Sequence, residues 1–303
     1  MKQNTVIYLS SLIVSVILIL NSSLLQADSI LSPVTPKQFL NGIIWRIDKA
    51  GVEPSYLIGT MHTDGPGIRK ILQQAAPYLS QARVVCTEIK MDFEALAVEL
   101  QAMFFTDGRT LSQVLDEPAL YEIAIGKARE HGLDVAMVRH MKPFTLAFLL
   151  SMPMNQGEVL DSQIYNQAIR ENKQVCGLET IAEHRNTFMT FDMPAQIAIL
   201  KNALVNYDKY KAMAPLLLEA YLDRDLQKIV TLASSSMSLG NDAITRTFIQ
   251  RFLIDRNIIM AKRMQPYLQQ GAAFFAVGAM HLTGEAGLLQ LLQKQGYRVS
   301  AVY

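Results

Sequence analysis

The same short pattern occurs near both ends of this chain: an apolar run, then Gly-x-Met-His, then a glycine and an amphipathic stretch. The first copy contains residues 59–62 and the second contains residues 278–281. An apolar strand followed by an amphipathic helix is the basic unit of a parallel sheet, and such units connect in few ways. We therefore expect both ends of the chain to contribute strands to one sheet.

Short apolar runs rich in β-branched residues predict the strands of this sheet. They are residues 43–47 and 56–59, which form a hairpin, and residues 82–89, 173–179, 272–281 and 297–303. Helical spacing dominates between them, over residues 110–172 and 180–265. The expected fold is α/β: a mixed, partly parallel sheet formed by the N- and C-terminal parts, with a large, mainly helical insertion.

The first 27 residues have the layout of a secretory signal peptide. Lys2 precedes the apolar residues 6–20, and a polar region ending in Ala27 follows. Cleavage after Ala27 would leave residues 28–303 as a single exported domain, periplasmic or secreted. Alternatively, residues 6–25 approach the ~20 apolar residues that cross a bilayer, so an uncleaved segment would anchor the protein. We expect membrane contact through this N-terminal segment only.

Charge and cysteine content narrow the partners and the redox chemistry. The chain has 28 Lys and Arg against 27 Asp and Glu, so it lacks the basic surface that nucleic-acid binding requires. We therefore expect no nucleic-acid partner. The two cysteines, Cys86 and Cys176, lie near the ends of predicted strands. An oxidising compartment permits one disulfide between them, and two buried thiols are the alternative.

Four predicted strands each end in a side chain that can bind a metal: His62, Glu88, Glu179 and His281. Ligands of open α/β sheets bind beyond the carboxyl ends of the strands, where these residues would meet. Imidazole and carboxylate together suit a divalent cation such as Zn, Mn, Fe or Co. The simpler alternatives are hydrogen-bonded structural histidines and, for the two glutamates, acidic residues that open the following helices.

The residues around the two histidines also repeat. Gly59 and Gly278 stand three positions before each histidine and permit tight turns and close backbone approach. Asp64 and Thr283 stand two positions after each histidine, where we expect both to act as helix N-caps. Alternatively, Asp64 orients or supplements a metal shell.

Other polar candidates are less distinctive. Arg256 and Asn257 lie in a helix with an apolar stripe, and an arginine there can bind a carboxylate or stabilise an oxyanion. By itself, however, the sequence favours a solvated helix face for Arg256. We expect surface or structural roles for His131, His140 and His184. No G-x-S-x-G, H-E-x-x-H or Cys-x-x-Cys motif occurs, which disfavours serine hydrolases and helical zincins.

The ordered series of motifs resembles the TraB/GumN family, which is related to the TIKI proteases. The matching blocks are "GTMH", Glu88, "GEVLDSQIYNQA" with Asp161, "GLET" with Glu179, "DRN" with Arg256 and Asn257, and "GAMH". The resemblance implies a fold akin to haem-binding ChaN and erythromycin-esterase-like proteins. It also implies a metal or catalytic set of His62, Glu88 and His281 with a divalent metal, Mn or Co. Cys86 and Thr87 before Glu88, and Asp64, depart from the family pattern.

These residues lead to one main hypothesis and two alternatives. The main hypothesis is a divalent-metal-dependent hydrolase, with Mn, Co or Zn, that acts on peptides or small molecules. His62, His281 and either Glu88 or Glu179 would hold the ion, the other glutamate would take a proton from water, and Arg256 would stabilise the tetrahedral intermediate. The first alternative is a non-catalytic envelope protein that binds haem or a metal, and the second gives the motifs a purely structural role.

Overall fold

One sheet joins the two ends of the chain in the computed structural model, which describes residues 39–303 apart from 91–92, 154–156, 189, 237–238 and 240. Its strands are β1 (Ile44–Asp48), β2 (Ser55–Thr60), β3 (Val84–Ile89), β4 (Gln174–Glu179), β5 (Ala273–Gly278) and β6 (Arg298–Ala301). Their order across the sheet is β4-β3-β5-β2-β1-β6. The predicted mixed α/β fold is therefore confirmed.

The sheet is parallel on the side that carries the candidate site. Strand β5 lies between β2 and β3 and is parallel to both, and β4 is parallel to β3. Strand β1 is antiparallel to β2, which forms the expected hairpin, and to β6. Every residue of β2 and β3 is buried, as expected for strands covered on both faces. The carboxyl ends of β2, β3, β4 and β5 therefore share one edge.

Helices form most of the remaining described chain. After β2 comes α1 (Pro66–Gln81), and after β3 come α2 (Phe93–Met103), α3 (Leu111–Leu115), α4 (Pro118–Glu130), α5 (Val135–Val138), α6 (Pro143–Ser151) and α7 (Leu160–Arg170). After β4 come α8 (Ile181–Phe188), α9 (Met193–Val205), α10 (Tyr207–Leu222), α11 (Leu226–Ser236), α12 (Asp242–Ile249) and α13 (Arg256–Gln270). Helix α14 (Leu288–Lys294) precedes β6.

Two hydrophobic cores divide the described residues. The main core contains the sheet and the helices packed on it. The second core lies within the helical insertion, where α6 and α9 pack together and Phe144, Phe191, Phe248 and Phe252 form ring contacts. The two helical stretches on either side of β4 thus share one core, although they are separate in sequence.

Cys86 and Cys176 are joined by a disulfide between the neighbouring strands β3 and β4. The pairing is possible because the parallel register places the two cysteines directly opposite each other, with 4.5 Å between their Cα atoms. The structure thus favours the disulfide over the two free thiols that the sequence also allowed. The predicted signal peptide or anchor, residues 1–27, lies outside the described residues. Among the helices that are described, none is long and apolar enough to span a bilayer.

Candidate functional site

The two Gly-x-x-H segments pack directly on each other at the shared strand edge. A Cβ atom on Gly59 would lie 2.5 Å from Leu282 Cδ1 and 3.1 Å from the Ala279 Cα atom. The Tyr221 hydroxyl donates a hydrogen bond of 2.8 Å to the Gly59 carbonyl and fixes the backbone there. Glycine at position 59 is therefore needed because the Leu282 side chain, next to the second motif, lies where a Cβ atom would be, and the Ala279 backbone is close by.

Gly278 has a different function, since its backbone contacts a carboxylate. Its N–H donates a hydrogen bond of 2.7 Å to Glu88 Oε1. A Cβ atom at this position would lie 3.4 Å from the same carboxylate oxygen. Glu88 is next to the last residue of β3 and 2% exposed, so the neighbouring strands β3 and β5 bring it to the second motif.

Arg256 holds both strand-end glutamates. Its Nε donates to Glu179 Oε2 at 2.8 Å, and its second terminal nitrogen lies 2.6 Å from Glu179 Oε2 and 2.6 Å from Glu88 Oε2. All three side chains are at most 4% exposed. The expectation that Arg256 belongs to a solvated helix face is therefore wrong: the side chain points inward because two buried carboxylates require its charge.

This clamp sets the ionisation of Glu88. Burial alone would raise its pKa, but the charge of Arg256, the nearby His281 and the Gly278 N–H lower the pKa to about 2. Burial likewise opposes the charge on Arg256, yet Glu179 and Glu88 raise the pKa of the guanidinium above its ordinary value. Glu88 and Arg256 are therefore both ionised at neutral pH.

A segment of π-helix leads into the residues of the clamp. It comprises Gln250–Asp255, directly before α13, and π segments are frequent at functional sites. Phe252 in this segment is in the second core, whereas Leu253 is in the main core. The helix that carries Arg256 and Asn257 therefore passes from one core to the other at this point.

A chain of hydrogen bonds fixes the tautomer of His281. Asn257 Nδ2 donates to the Ala286 carbonyl at 2.9 Å, so the amide oxygen of Asn257 faces the histidine ring. His281 Nδ1 lies 2.6 Å from that oxygen and must carry the hydrogen. We assign this tautomer from the hydrogen bonds. In a neutral ring the other nitrogen, Nε2, then presents its lone pair, as in metal-binding histidines.

That lone pair faces a carboxylate. His281 Nε2 lies 3.7 Å from Glu88 Oε1, which is too long for a hydrogen bond. His281 is 1% exposed, and its pKa falls to about 3 because of burial, with the charge of Arg256 adding to the effect and Glu88 opposing it. An unprotonated nitrogen and an ionised oxygen thus face each other.

His62 has a corresponding carboxylate, Asp161. His62 Nε2 lies 3.5 Å from Asp161 Oδ2, and the Thr60 hydroxyl donates to the other carboxylate oxygen, Oδ1. Asp161 is fully buried on α7, and burial raises its pKa, although His62 and Thr60 act against that shift. The sequence itself indicated no role for Asp161, which was singled out only by the family resemblance. A usable signal was present, because Asp161 stands between apolar residues on the buried face of its helix.

The donor atoms form two pairs. Within the described residues, no group of three or more His, Cys, Asp or Glu side chains is placed to hold one metal ion. The donor types nevertheless suit a divalent cation, and each His–carboxylate pair has nearly the spacing of two ligands on one tetrahedral ion, about 3.4 Å for metal–ligand distances of about 2.1 Å. The joint role of His62, Glu88 and His281 as a metal set remains a prediction.

Asp64 and Thr283 do not cap the following helices, contrary to expectation. The N-cap residues are Gly65 for α1 and Gly287 for α14. Asp64 lies instead beside Gly157, where an added Cβ atom would be 2.9 Å from its carboxylate. Helix α1 begins at Pro66, so Gly65 and not Asp64 precedes its first residue. Helix α14 begins at Leu288, after a stretch of turn that follows Thr283.

The remaining histidines are consistent with structural or surface positions. His184 is buried, and its Nδ1 lies 3.1 Å from Glu99 Oε1. His131 is the C-cap residue of α4 and contacts Tyr207. His140 is exposed.

The fold and these side chains define an α/β protein with a buried histidine–carboxylate site at the carboxyl edge of its parallel strands. The model of the TraB/PrgY/gumN family matches residues 43–301, and the chain belongs to this family. The chain is similar to Metalloprotease TIKI1 of Danio rerio, with 23% identity over 318 aligned residues. The similarity covers 88% of this chain and 64% of that protein, so the chain spans less than two thirds of its relative. No solved structure matches the chain.

Proposed function

We propose that this protein is a divalent-metal-dependent hydrolase that cleaves peptide bonds. One observation carries the proposal: the fixed tautomer of His281 presents an unprotonated Nε2 to the ionised carboxylate of Glu88 at 3.7 Å, with no proton between them. Two electron-pair donors in such an arrangement repel each other unless a cation binds there. His62, Glu88 and His281 would hold this cation.

When held by these residues, a divalent metal would lower the pKa of bound water to about 7 and would polarise the substrate carbonyl. The other residues prepare the donors. Arg256 keeps Glu88 ionised, and Asn257 keeps the lone pair of His281 on Nε2. Glu179 accepts hydrogen bonds from Arg256 through both oxygens, so we assign it to positioning Arg256 and not to proton transfer. We therefore assign Arg256 to neutralising the carboxylates of Glu88 and Glu179, and not to stabilising an oxyanion.

Two further features support the proposal. The relative that covers 88% of the chain is named as a metalloprotease, although this chain spans only 64% of it. The disulfide between Cys86 and Cys176 supports the proposal that the protein works outside the cytoplasm, because disulfides persist in oxidising compartments.

The test is cleavage of fluorogenic peptides by the chelator-stripped protein, to which Mn²⁺, Co²⁺ or Zn²⁺ is added. We expect activity only with metal, and loss of this activity in the His62→Ala, His281→Ala double variant. His140→Ala is a matched control, because this histidine is exposed and outside the site. Retention of metal-dependent cleavage by the double variant would contradict the proposal. Haem binding with a visible absorption band, without cleavage, would favour the alternative of a binding protein.

A further inference from the structure

Asp161 is an unusual carboxylate because, among the described residues, no Lys or Arg pairs with it and its ion-pair partner is a histidine, His62. The residue is 0% exposed and lies on the buried face of α7. The Thr60 hydroxyl holds Oδ1, whereas Oδ2 accepts no hydrogen bond among the described residues. A buried carboxylate oxygen without a donor is costly, so such an atom usually faces a cation or a water molecule.

The geometry around Oδ2 repeats that of the other pair. His62 Nε2 lies 3.5 Å from Asp161 Oδ2, and His281 Nε2 lies 3.7 Å from Glu88 Oε1. Both distances exceed a normal hydrogen bond and are close to the separation of two ligands on one ion, about 3.4 Å. Each histidine of the repeated motif thus faces one oxygen of a buried carboxylate.

The arrangement of the buried carboxylates also favours a cation at Asp161. Glu88, Glu179 and Asp161 contribute three carboxylates, and Arg256 is the counter-charge that touches two of them. Among the described residues Arg256 makes no contact with Asp161, so this arginine does not serve the third carboxylate. Glu88 is close enough to Asp161 to raise the pKa of the Asp161 carboxyl.

We infer that Asp161 is a further cation-binding residue of this protein, acting with His62 on the divalent metal. This inference rests on the proposed function and adds a carboxylate to the set His62, Glu88 and His281. The Thr60 hydroxyl positions Asp161 by holding Oδ1, so that Oδ2 is directed to His62.

The experiment measures Mn²⁺ and Zn²⁺ affinity of the chelator-stripped protein by calorimetry, together with the melting temperature without metal. The variant is Asp161→Asn, which keeps the shape and an acceptor for Thr60 but removes the charge. We expect affinity to fall by roughly 10- to 100-fold or more. We also expect the metal-free melting temperature to stay equal or rise, because the variant removes a buried charge that has no hydrogen bond to Oδ2 among the described residues.

Glu99→Gln is the matched control, since Glu99 is also buried beside a histidine, His184, but outside the proposed set. It should keep the metal affinity of the wild-type protein. Wild-type affinity in Asp161→Asn, or an equal loss in Glu99→Gln, would overturn the inference and leave the proposed function standing. A purely structural Asp161 would instead lower the metal-free melting temperature without changing affinity. If the wild-type protein binds no divalent ion, the proposed function itself fails.

Discussion

Replacing Arg256 by methionine would test whether the clamp on Glu88 and Glu179 stabilises this fold. Methionine keeps much of the apolar stem but removes the donors that bind both carboxylates. The two buried carboxyl groups would then lie close together without the guanidinium that bridges them. Breaking a buried ion pair by removing one partner costs about 3–5 kcal/mol, so we expect a loss of this size in the free energy of unfolding at pH 7.

The ionisation of Glu88 gives a similar magnitude. Its pKa in the folded protein is about 2, compared with an ordinary value of 4.5. A shift of this size corresponds to about 3 kcal/mol of stability, because each pKa unit is worth about 1.4 kcal/mol. Since the folded pKa is depressed, this contribution is fully present above about pH 4.5 and is lost as the pH falls towards 2.

The stability of the Arg256→Met variant should change with pH in the opposite direction. Without Arg256, burial becomes the main influence and raises the pKa of Glu88 above its unfolded value. A raised folded pKa means that stability is present at low pH and is lost as the pH rises. The difference in unfolding free energy between wild type and Arg256→Met should therefore narrow as the pH is lowered from 7 to 4.

Urea unfolding followed by circular dichroism at pH 7 and pH 4 measures both effects. Arg263→Met is the matched control, because Arg263 also binds a glutamate, Glu183, at 2.5 Å and 2.8 Å but about a third of each side chain is exposed. We expect this exposed pair to contribute at most about 1 kcal/mol. Equal losses in the two variants, or a difference that does not change with pH, would refute the reasoning about Arg256.

Three further predictions concern the glycine contact, the disulfide and the histidine tautomer. Gly59→Ala should lower the free energy of unfolding by about 1–3 kcal/mol, because its Cβ atom overpacks against Leu282. In a double-mutant cycle with Leu282→Ala, the loss in the double variant should be smaller than the sum of the two single losses. Strict additivity would exclude this contact. Removing the disulfide by Cys86→Ala and Cys176→Ala should lower the free energy of unfolding by about 2–5 kcal/mol. Dithiothreitol should lower the melting temperature of the wild type but not of this variant. Thiols that can be titrated in the unfolded, non-reduced wild type would contradict the bond. Asn257→Leu should cost about 1–3 kcal/mol and release the fixed tautomer, seen in the ¹⁵N shifts of the ring it contacts; unchanged shifts would contradict the tautomer assignment.

The strand ends were predictable because local patterns encode them. An apolar run, a short turn and a helix predict a parallel strand, and all such strands present their carboxyl ends at one edge. His62, Glu88, Glu179 and His281 therefore appeared in the sequence as neighbours of one site. Whether Cys86 pairs with its partner could not be predicted, because the register between two parallel strands depends on contacts across the whole sheet.

The inward orientation of Arg256 and Asp161 was missed although a common signal existed. Arg256 stands four residues after Phe252 and four before Met260, so a continuous buried stripe of the helix includes it. Asp161 likewise lies between buried apolar residues of α7. A charged residue within an apolar stripe indicates a buried charge, but its counter-charge comes from distant segments and cannot be identified from local spacing.

Because β5 lies at the centre of the sheet, the sheet can be completed only late in the synthesis of the chain. Strands β2 and β3 touch each other only through β5, whose residues emerge from the ribosome after most of the chain. A nascent or prematurely ended chain that lacks Ala273–Gly278 can carry His62 and Glu88, but it has no central strand to bring them together. Contacts of such long sequence separation form slowly. The candidate site is therefore completed late, once β5 has been inserted between β2 and β3.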